Sequence, residues 1–367
     1  MKIPTALAMN IAQSPWRSPL SICYVAFEAR GLAWEGCGDR LIHSMAQHPV
    51  VVLGASGFIG TRLINHLTSN GARGLRALDL KPPRQRFVGV EYARGDIRAP
   101  IPEDIGRGAS VIFNLAATHR TPGHHEHEYF EDNIGGALNA VALAKACDIK
   151  TIVFTSSISV YGFCEQAVSE ASPLRPISAY GRSKRLAEDI HRQWLASGTD
   201  RRLIIVRPGV VFGPGERGNY TALANALHRG YFFYPGRRDT VKSGGYVDEL
   251  IRTIEFALER VSRYALFNFA YPEQNTIREI VAAFGKVSGR RYDPLMLPLP
   301  LLKLVAGVIG AGNAIGLHAV IHPDRVMKLV QSTRVRPMWL ASQGYEFSTN
   351  LETALERWRD ETQGRFD

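Results

Sequence analysis

The sequence contains little that several common protein classes require. Only four cysteines, Cys23, Cys37, Cys147 and Cys164, occur among 367 residues, with no CxxC motif and no metal-ligand spacing. We therefore expect reduced thiols in a cytoplasmic protein, not a disulfide framework. Polar residues interrupt the apolar ones near the N-terminus, so no secretory signal peptide is predicted.

Basic residues are in excess, but they are not clustered. The net charge is +10, yet no dense run of lysine and arginine resembles a nucleic-acid-binding arm. We expect no nucleic-acid partner and favour a phosphate-bearing small molecule.

One long uncharged stretch, Leu304 to Ile321, raises the question of a membrane span. It contains four glycines and is shorter than the roughly 20 apolar residues that a spanning helix needs. We predict no transmembrane span. A buried or substrate-pocket segment is favoured, and contact with a membrane surface is the alternative.

From Pro49 onward, short apolar runs alternate with segments of helical periodicity. This alternation predicts an α/β fold with a doubly wound parallel sheet. Residues 49–215 and 246–271 are predicted to form a nucleotide-binding domain, and residues 216–245 and 272–367 a smaller C-terminal substrate-binding lobe. Residues 1–48 are interpreted as an extension not expected to be ordered, with Met45 as an alternative start.

A glycine-rich loop follows the first predicted strand and precedes a helix. Gly54, Gly57 and Gly60 have the spacing of a dinucleotide-binding turn in a Rossmann-type domain, where the helix N-terminus faces a pyrophosphate. The predicted cofactor contacts in this loop are Gly54, Ser56, Gly57, Phe58, Ile59 and Gly60.

An acidic residue at the end of the second predicted strand favours NAD as the cofactor. Asp79 can accept hydrogen bonds from the adenosine ribose, and its charge repels the 2′-phosphate of NADP. Lys81, Arg84 and Arg86 follow closely and could hold that phosphate. NADP therefore remains possible.

Two further strand ends are expected to contact the cofactor. Asp96 and Ile97 follow the third predicted strand, and Asp96 could meet the adenine amino group. Small or apolar residues follow the fourth strand, where the backbone passes close to the cofactor; they are Leu115, Ala116 and Ala117.

A tyrosine and a lysine four residues apart suggest acid–base chemistry. Tyr180 and Lys184 fall on one helix face, and a nearby ammonium lowers the pKa of a phenol from about 10 towards neutrality. Upstream, Ser157 follows a strand and could bind the same substrate oxygen as Tyr180. The combination predicts hydride transfer between a nicotinamide and a secondary alcohol or ketone.

Taken together, these motifs resemble the extended short-chain dehydrogenase/reductases, in particular the NAD-dependent epimerase/dehydratase group. The resemblance runs from Pro49 to about Trp358. The matching motifs are GASGFIG (54–60), Asp79, GDI (95–97), NLAA (114–117), SSISVYG (156–162), YGRSK (180–184), RPGVVFGPG (207–215) and YVDEL (246–250).

The resemblance assigns expected roles to individual residues. It implies that Tyr180 is the acid/base, that Lys184 binds the nicotinamide ribose and lowers the pKa of Tyr180, and that Ser157, in preference to Ser156, orients the substrate. Asn133, expected to open a helix Asn133–Ala146, would belong to the proton relay. Additional cofactor contacts are expected from Arg207 and Pro208, and substrate contacts from Ser159, Asn219 and Arg238.

Departures from the family pattern narrow the expected reaction. Ile158 and Ser159 replace the Asp-Glu pair of sugar dehydratases, and Val210 replaces an Asn common where a sugar-nucleotide pyrophosphate binds. A nucleoside-diphosphate-sugar 4-epimerase is favoured. The alternatives are an NADPH-dependent 4-keto-sugar reductase, a steroid- or flavonoid-type alcohol dehydrogenase, and a non-enzymatic NAD(H)-binding regulatory protein.

Two expectations concern metal and oligomeric state. His119, His124, His125 and His127 are close in sequence, but they are interpreted as a loop without the further ligands of a rigid zinc site, so no metal is predicted. By resemblance, a homodimer is expected, with its seam on the helices Asn133–Ala146 and Tyr180–Trp194.

Overall fold

The centre of the protein is a parallel sheet of seven strands. The computed structural model describes residues 48–119, 123–300 and 330–367. The strands of this sheet are β1 (Val50–Leu53), β2 (Leu75–Asp79), β3 (Val90–Arg94), β4 (Val111–Asn114), β5 (Thr151–Thr155), β7 (Arg202–Pro208) and β11 (Tyr264–Phe269). Their order is β11-β7-β5-β4-β1-β2-β3, and all neighbours are parallel. The predicted doubly wound fold is confirmed.

Helices cover both faces of the sheet. The helices in the described part of the chain are α1 (Phe58–Ser69), α2 (Glu103–Gly106), α3 (Glu126–Ala146), α4 (Ala179–Ala196), α5 (Asn219–His228), α6 (Val247–Arg260), α7 (Ile277–Ser288), α8 (Met338–Ser342) and α9 (Leu351–Glu361). Alternate residues of β1 face the two layers: Val50 and Val52 join a core with α1 and α6, and Val51 and Leu53 join a core with α3 and α4. All four are fully buried, which explains the uninterrupted apolar run.

A separate, aromatic core lies in the C-terminal half. Phe212, Tyr220, Tyr271, Phe284 and Trp358 pack together there, and the Phe212 and Tyr220 rings stack with centroids 4.3 Å apart. Short parallel strand pairs lie outside the main sheet: β8 (Val210–Phe212) with β10 (Gly244–Tyr246), β9 (Tyr234–Pro235) with β12 (Met296–Leu297), and β6 (Cys164–Val168) with β13 (Thr333–Val335). The domain boundaries stay a prediction, because this core takes residues from both predicted domains.

Two of the sequence-based interpretations concern residues outside the described part. The predicted N-terminal extension, residues 1–48 with Met45, lies outside the described residues except for its last residue. The uncharged stretch Leu304 to Ile321 lies entirely outside them. Within the described ranges, no helix has the length and apolar character needed to cross a membrane.

The expected start of the helix at Asn133 was wrong. Helix α3 begins at Glu126, and Asn133 lies two turns inside it. The Glu128 carboxylate accepts a hydrogen bond from the His125 N–H at 2.8 Å, which satisfies a free amide at the helix start. His127 therefore lies in the first helical turn rather than in a loop. Polar histidines and glutamates carry no apolar periodicity, which is why the sequence pattern missed this turn.

A substitution at Gly60 can test the close packing of α1 on β1. A methyl group at this position would lie 2.4 Å from the Gly54 carbonyl oxygen and 2.8 Å from the Ala55 oxygen. We expect Gly60→Ala to lower the free energy of unfolding by about 1–3 kcal/mol in urea denaturation, because backbone atoms must move. Gly135→Ala in α3 is the control: the nearest atom is 3.7 Å away, so a helical alanine should be neutral or stabilising. Equal effects of the two substitutions would contradict this packing.

Candidate active site

The glycine loop approaches the neighbouring strand end too closely for any side chain. Gly54 has φ +80°, and a Cβ there would lie 2.6 Å from the Ala116 nitrogen. Gly57 precedes α1, whose first residues are Phe58 and Ile59. The free amides of this helix start therefore face the carboxyl ends of β1 and β4, as a pyrophosphate-binding turn requires.

Asp79 fastens this loop to the end of β2. One carboxylate oxygen accepts a hydrogen bond from the Ser56 N–H at 2.9 Å, and the other accepts one from the Lys81 N–H at 2.9 Å. The Ser56 hydroxyl donates to the Lys81 carbonyl at 2.8 Å. Since each carboxylate oxygen has a second lone pair, Asp79 can still accept from ribose hydroxyls.

Two of the basic residues that could have held a 2′-phosphate have partners within the protein. Arg84 donates to the Gly215 carbonyl at 2.5 Å, and the Arg86 guanidinium lies 5.2 Å from the centroid of the Tyr92 ring. This arrangement favours NAD over NADP.

The remaining predicted cofactor contacts line the same edge. The Leu115 N–H donates to the Leu53 carbonyl at 2.9 Å, and Ala116, with Ala117 following it, lies against the glycine loop. Asp96 lies two residues beyond β3 and forms an ion pair of 2.6 Å with Arg98, which lowers the pKa of its carboxyl. The Ile97 side chain fits against Gly136 of α3.

The two serines after β5 have different surroundings. The Ser156 hydroxyl is buried and donates to the Glu188 carboxylate at 2.6 Å. The Ser157 hydroxyl donates to the Ser159 hydroxyl at 3.1 Å and shares a hydrogen bond with the Tyr180 phenol. The structure thus brings Ser157, Ser159 and Tyr180 together, while Ser156 has a separate, internal partner.

Tyr180 and Lys184 lie in the first two turns of α4. Ser178 caps this helix by accepting a hydrogen bond from the Gly181 N–H at 3.0 Å. The Lys184 ammonium donates to the Thr155 carbonyl at 2.8 Å and lies 4.8 Å from the centroid of the Phe154 ring. The lysine is 2% exposed, so the end of β5 is fixed against the helix that carries the phenol.

The electrostatics differ from the sequence-based expectation. Burial raises the pKa of Tyr180 to about 12, and the hydrogen bond with Ser157 opposes that rise. Burial also lowers the pKa of Lys184 to about 7, and the charge of Glu188 opposes that fall. A lowered pKa of Tyr180 is therefore not produced by these side chains alone, because the ammonium is bonded to the Thr155 carbonyl rather than to the phenol.

Asn133 connects helix α4 to the loop after β4. Its side-chain amide donates to the Ser183 hydroxyl at 2.8 Å, and its oxygen accepts from the Thr118 N–H at 3.2 Å. The Ser183 hydroxyl in turn donates to the Tyr180 carbonyl at 2.9 Å. Asn133 is therefore linked to the Tyr180 carbonyl through the Ser183 hydroxyl, and its part in a proton relay stays a prediction.

The other predicted residues have their own surroundings. The Arg207 guanidinium forms a buried ion pair of 2.6 Å with Glu188 and donates to the Tyr161 hydroxyl at 2.7 Å. Because these partners occupy the side chain, a cofactor contact would have to come from the backbone of Arg207 or from Pro208, the last residue of β7. Asn219 is the exposed first residue of α5. The Arg238 guanidinium lies 5.6 Å from the centroid of the Tyr234 ring.

Sequence reasoning missed two fully buried residues of α4, Glu188 and His191. They follow Lys184 by four and seven positions, so continuing the Tyr180–Lys184 spacing along the helix would have found them. The His191 Nδ1 donates to the Ala187 carbonyl at 2.7 Å, and its ring stacks on Phe154 with centroids 4.2 Å apart. Burial lowers the pKa of His191 to about 4, so the histidine is neutral.

A cavity of about 500 Å³ opens at the β11 edge of the sheet, away from Tyr180. Arg207 is the only predicted site residue in its wall. The lining residues are Glu170, Ser172, Leu174, Arg192, Arg207, Tyr264, Ala265, Leu266 and Trp339. The cavity therefore lies behind the buried charges of α4 and β7 and is not the candidate active site.

The chain is similar to known proteins in sequence and in fold. The profile of the NAD dependent epimerase/dehydratase family matches residues 50–269. The N-acetyl-alpha-D-glucosaminyl-diphospho-ditrans,octacis-undecaprenol 4-epimerase of Escherichia coli O157:H7 is 29% identical over 317 residues, covering 84% of this chain and 93% of that protein.

Two solved structures have the same fold. UDP-glucuronic acid 4-epimerase from Bacillus cereus, in complex with NAD, superposes with a TM-score of 0.68 at 21% identity, covering 87% of this chain and all of that one. UDP-glucose 4-epimerase from Thermotoga maritima, with UDP-glucose, gives 0.67 at 19% identity over the same shares of both chains.

The neutral His191 predicts a pH dependence of stability. Its pKa is lowered on folding, so the unfolded chain binds a proton between about pH 6.5 and 4 that the folded protein does not, and stability falls on acidification. Urea titrations should show the wild type losing about 2 kcal/mol more than His191→Gln between pH 7 and pH 5. Parallel losses in the two proteins would contradict a buried neutral histidine.

Proposed function

Because the chain belongs to the NAD-dependent epimerase/dehydratase family, we propose that it is a 4-epimerase of nucleoside-diphosphate sugars. The observation that carries this proposal is the joint placement of Ser157, Tyr180 and Lys184 at the end of β5. That strand end lies one strand away from the end of β4, which the glycine loop contacts. Relatives named as 4-epimerases support the choice of reaction.

The residues at the glycine loop fit NAD. A side chain at Gly54 or Gly60 would collide with backbone atoms, and Asp79 offers free lone pairs at the expected distance along the chain. When bound, NAD supplies reversible removal of a hydride from a secondary alcohol carbon. The protein binds and orients both partners.

The protein's own residues handle the proton. Tyr180 takes the proton from the sugar O4 and returns it to O4 after the 4-keto sugar has rotated to present its other face. Since the hydride removed from C4 is also returned to C4, no net redox change results. Ser157 holds the same oxygen by a hydrogen bond. Lys184 would donate to the nicotinamide ribose when NAD is bound, and the hydrogen bond with Ser157 counteracts the burial that raises the pKa of Tyr180.

Dehydration and net reduction are less well supported. Ile158 and Ser159 have no carboxylate to remove water from a sugar, so we assign no dehydratase activity. Net reduction of a 4-keto sugar would use the same three residues, but it favours NADPH, and the charge of Asp79 at the end of β2 repels a 2′-phosphate.

A second candidate substrate is a sugar on a polyprenyl diphosphate. The relative whose name specifies such a substrate matches 84% of this chain, and the 18 residues from Leu304 to Ile321 are uncharged. Both substrate classes present a diphosphate, so the chemistry at Tyr180 would be the same. Assaying UDP-N-acetylglucosamine against its undecaprenyl-diphosphate counterpart separates the two.

We place the enzyme in the cytoplasm, where nucleotide sugars are available and where the free thiols of Cys147 and Cys164 stay reduced.

Tyr180→Phe tests the proposed acid–base role. The variant should lose at least about 100-fold in kcat for C4 epimerisation, because the phenol hydroxyl carries the proton, while NAD affinity stays within a few-fold of the wild type. Tyr92→Phe, far from Ser157, is the matched control and should keep full activity. Turnover by Tyr180→Phe near the wild-type rate would contradict the mechanism.

We further propose a homodimer through α3 and α4, which pack against each other. Each presents a half-exposed leucine, Leu138 and Leu186. The double variant Leu138→Glu/Leu186→Glu should sediment as a monomer at concentrations where the wild type is a dimer, since a buried charge at an apolar seam is costly. Val88→Glu, at a fully exposed loop residue, should remain dimeric. A monomeric wild type would contradict the proposal.

A further inference from the structure

Helix α4 carries a buried carboxylate one turn beyond Lys184. Glu188 is fully buried, and its two oxygens accept four hydrogen bonds. The donors are the Ser156 hydroxyl at 2.6 Å, Arg207 Nε at 2.8 Å and Nη2 at 2.6 Å, and Arg192 Nη2 at 2.7 Å. The carboxylate therefore links α4 to the ends of both β5 and β7.

The groups around this carboxylate carry more positive than negative charge. The same groups surround Lys184. Tyr180, Glu188 and the neutral His191 share its face of α4. The neighbouring strands add the Thr155 carbonyl, from β5, and Arg207, from β7. Lys184, Arg192 and Arg207 are cations; the anions beside them are the buried Glu188 and the half-exposed Asp189, which pairs with Arg192. An uncompensated buried cation loses its proton readily.

We propose that Glu188 is a positioning residue that keeps the Lys184 ammonium protonated and, through Ser156, fixes the strand end that carries Ser157. The inference rests on the proposed function, in which a charged Lys184 holds the cofactor ribose. Nothing in the chemistry requires Glu188 to touch substrate or cofactor.

The balance of interactions supports this role. Burial lowers the pKa of Lys184 to about 7, and the negative charge of Glu188 counteracts it. Burial would raise the pKa of Glu188, but the hydrogen bonds from Arg207 outweigh it, so the carboxyl stays ionised. Removing Glu188 should therefore lower the pKa of Lys184 further.

The test measures NAD affinity of the full-length protein by calorimetric titration from pH 5.5 to 9. We expect affinity to fall as Lys184 loses its proton, with a midpoint that moves down by about one pH unit in Glu188→Gln. Glu188→Asp keeps the negative charge on a shorter side chain, so its midpoint should lie between those of Glu188→Gln and the wild type.

Asp189→Asn is the matched control, since Asp189 is the exposed neighbour that pairs with Arg192, and its midpoint should equal that of the wild type. If Glu188→Gln does not fold, the midpoint of Glu188→Asp still decides the question, because it should lie measurably below that of the wild type. Weaker binding at every pH with unchanged midpoints would overturn the inference and leave Glu188 a structural residue. A wild type that binds no NAD at any pH would overturn the proposed function as well.

Discussion

The buried ammonium group of Lys184 is the constraint on which the site depends. A lone cation in the interior costs several kcal/mol unless it is paired and hydrogen-bonded. The Thr155 carbonyl supplies the hydrogen bond and Glu188 the opposite charge. These two interactions hold helix α4 against the end of β5, and this places Tyr180 next to Ser157. The catalytic geometry is thus a consequence of how one charge is buried.

A second constraint acts one strand away. Gly54 and Gly60 let the backbone of β1, α1 and the end of β4 approach within distances that no side chain would allow. Asp79 then fixes the loop through the amides of Ser56 and Lys81. Because parallel strands end at the same edge, this cradle and the Tyr180 group face one space. The fold therefore places the residues proposed to bind the cofactor and those proposed for acid–base chemistry at one edge of the sheet.

The sequence predicted those parts of the structure that repeat a local pattern. Apolar runs indicated the strands of the sheet, and the glycine spacing with Asp79 indicated the cradle. The histidine-rich start of α3 was missed, because its capping by Glu128 depends on side-chain geometry rather than periodicity. The buried pair of Glu188 and Arg207 was missed for another reason: charged residues are expected at the surface, and only the packing of α4 on β7 shows that they face each other.

The pKa of Tyr180 shows where sequence reasoning was insufficient. Spacing alone predicted that Lys184 lowers it, whereas burial raises it and the ammonium is bonded to a backbone carbonyl.

The most direct test of the account is the nucleotide content of freshly purified protein, released by denaturation and assayed enzymatically. A 4-epimerase regenerates its cofactor in every cycle, so we predict about one NAD(H) per chain and no NADP(H). A protein that emerges empty and then binds NADPH more tightly than NADH would contradict the account and indicate a net reductase.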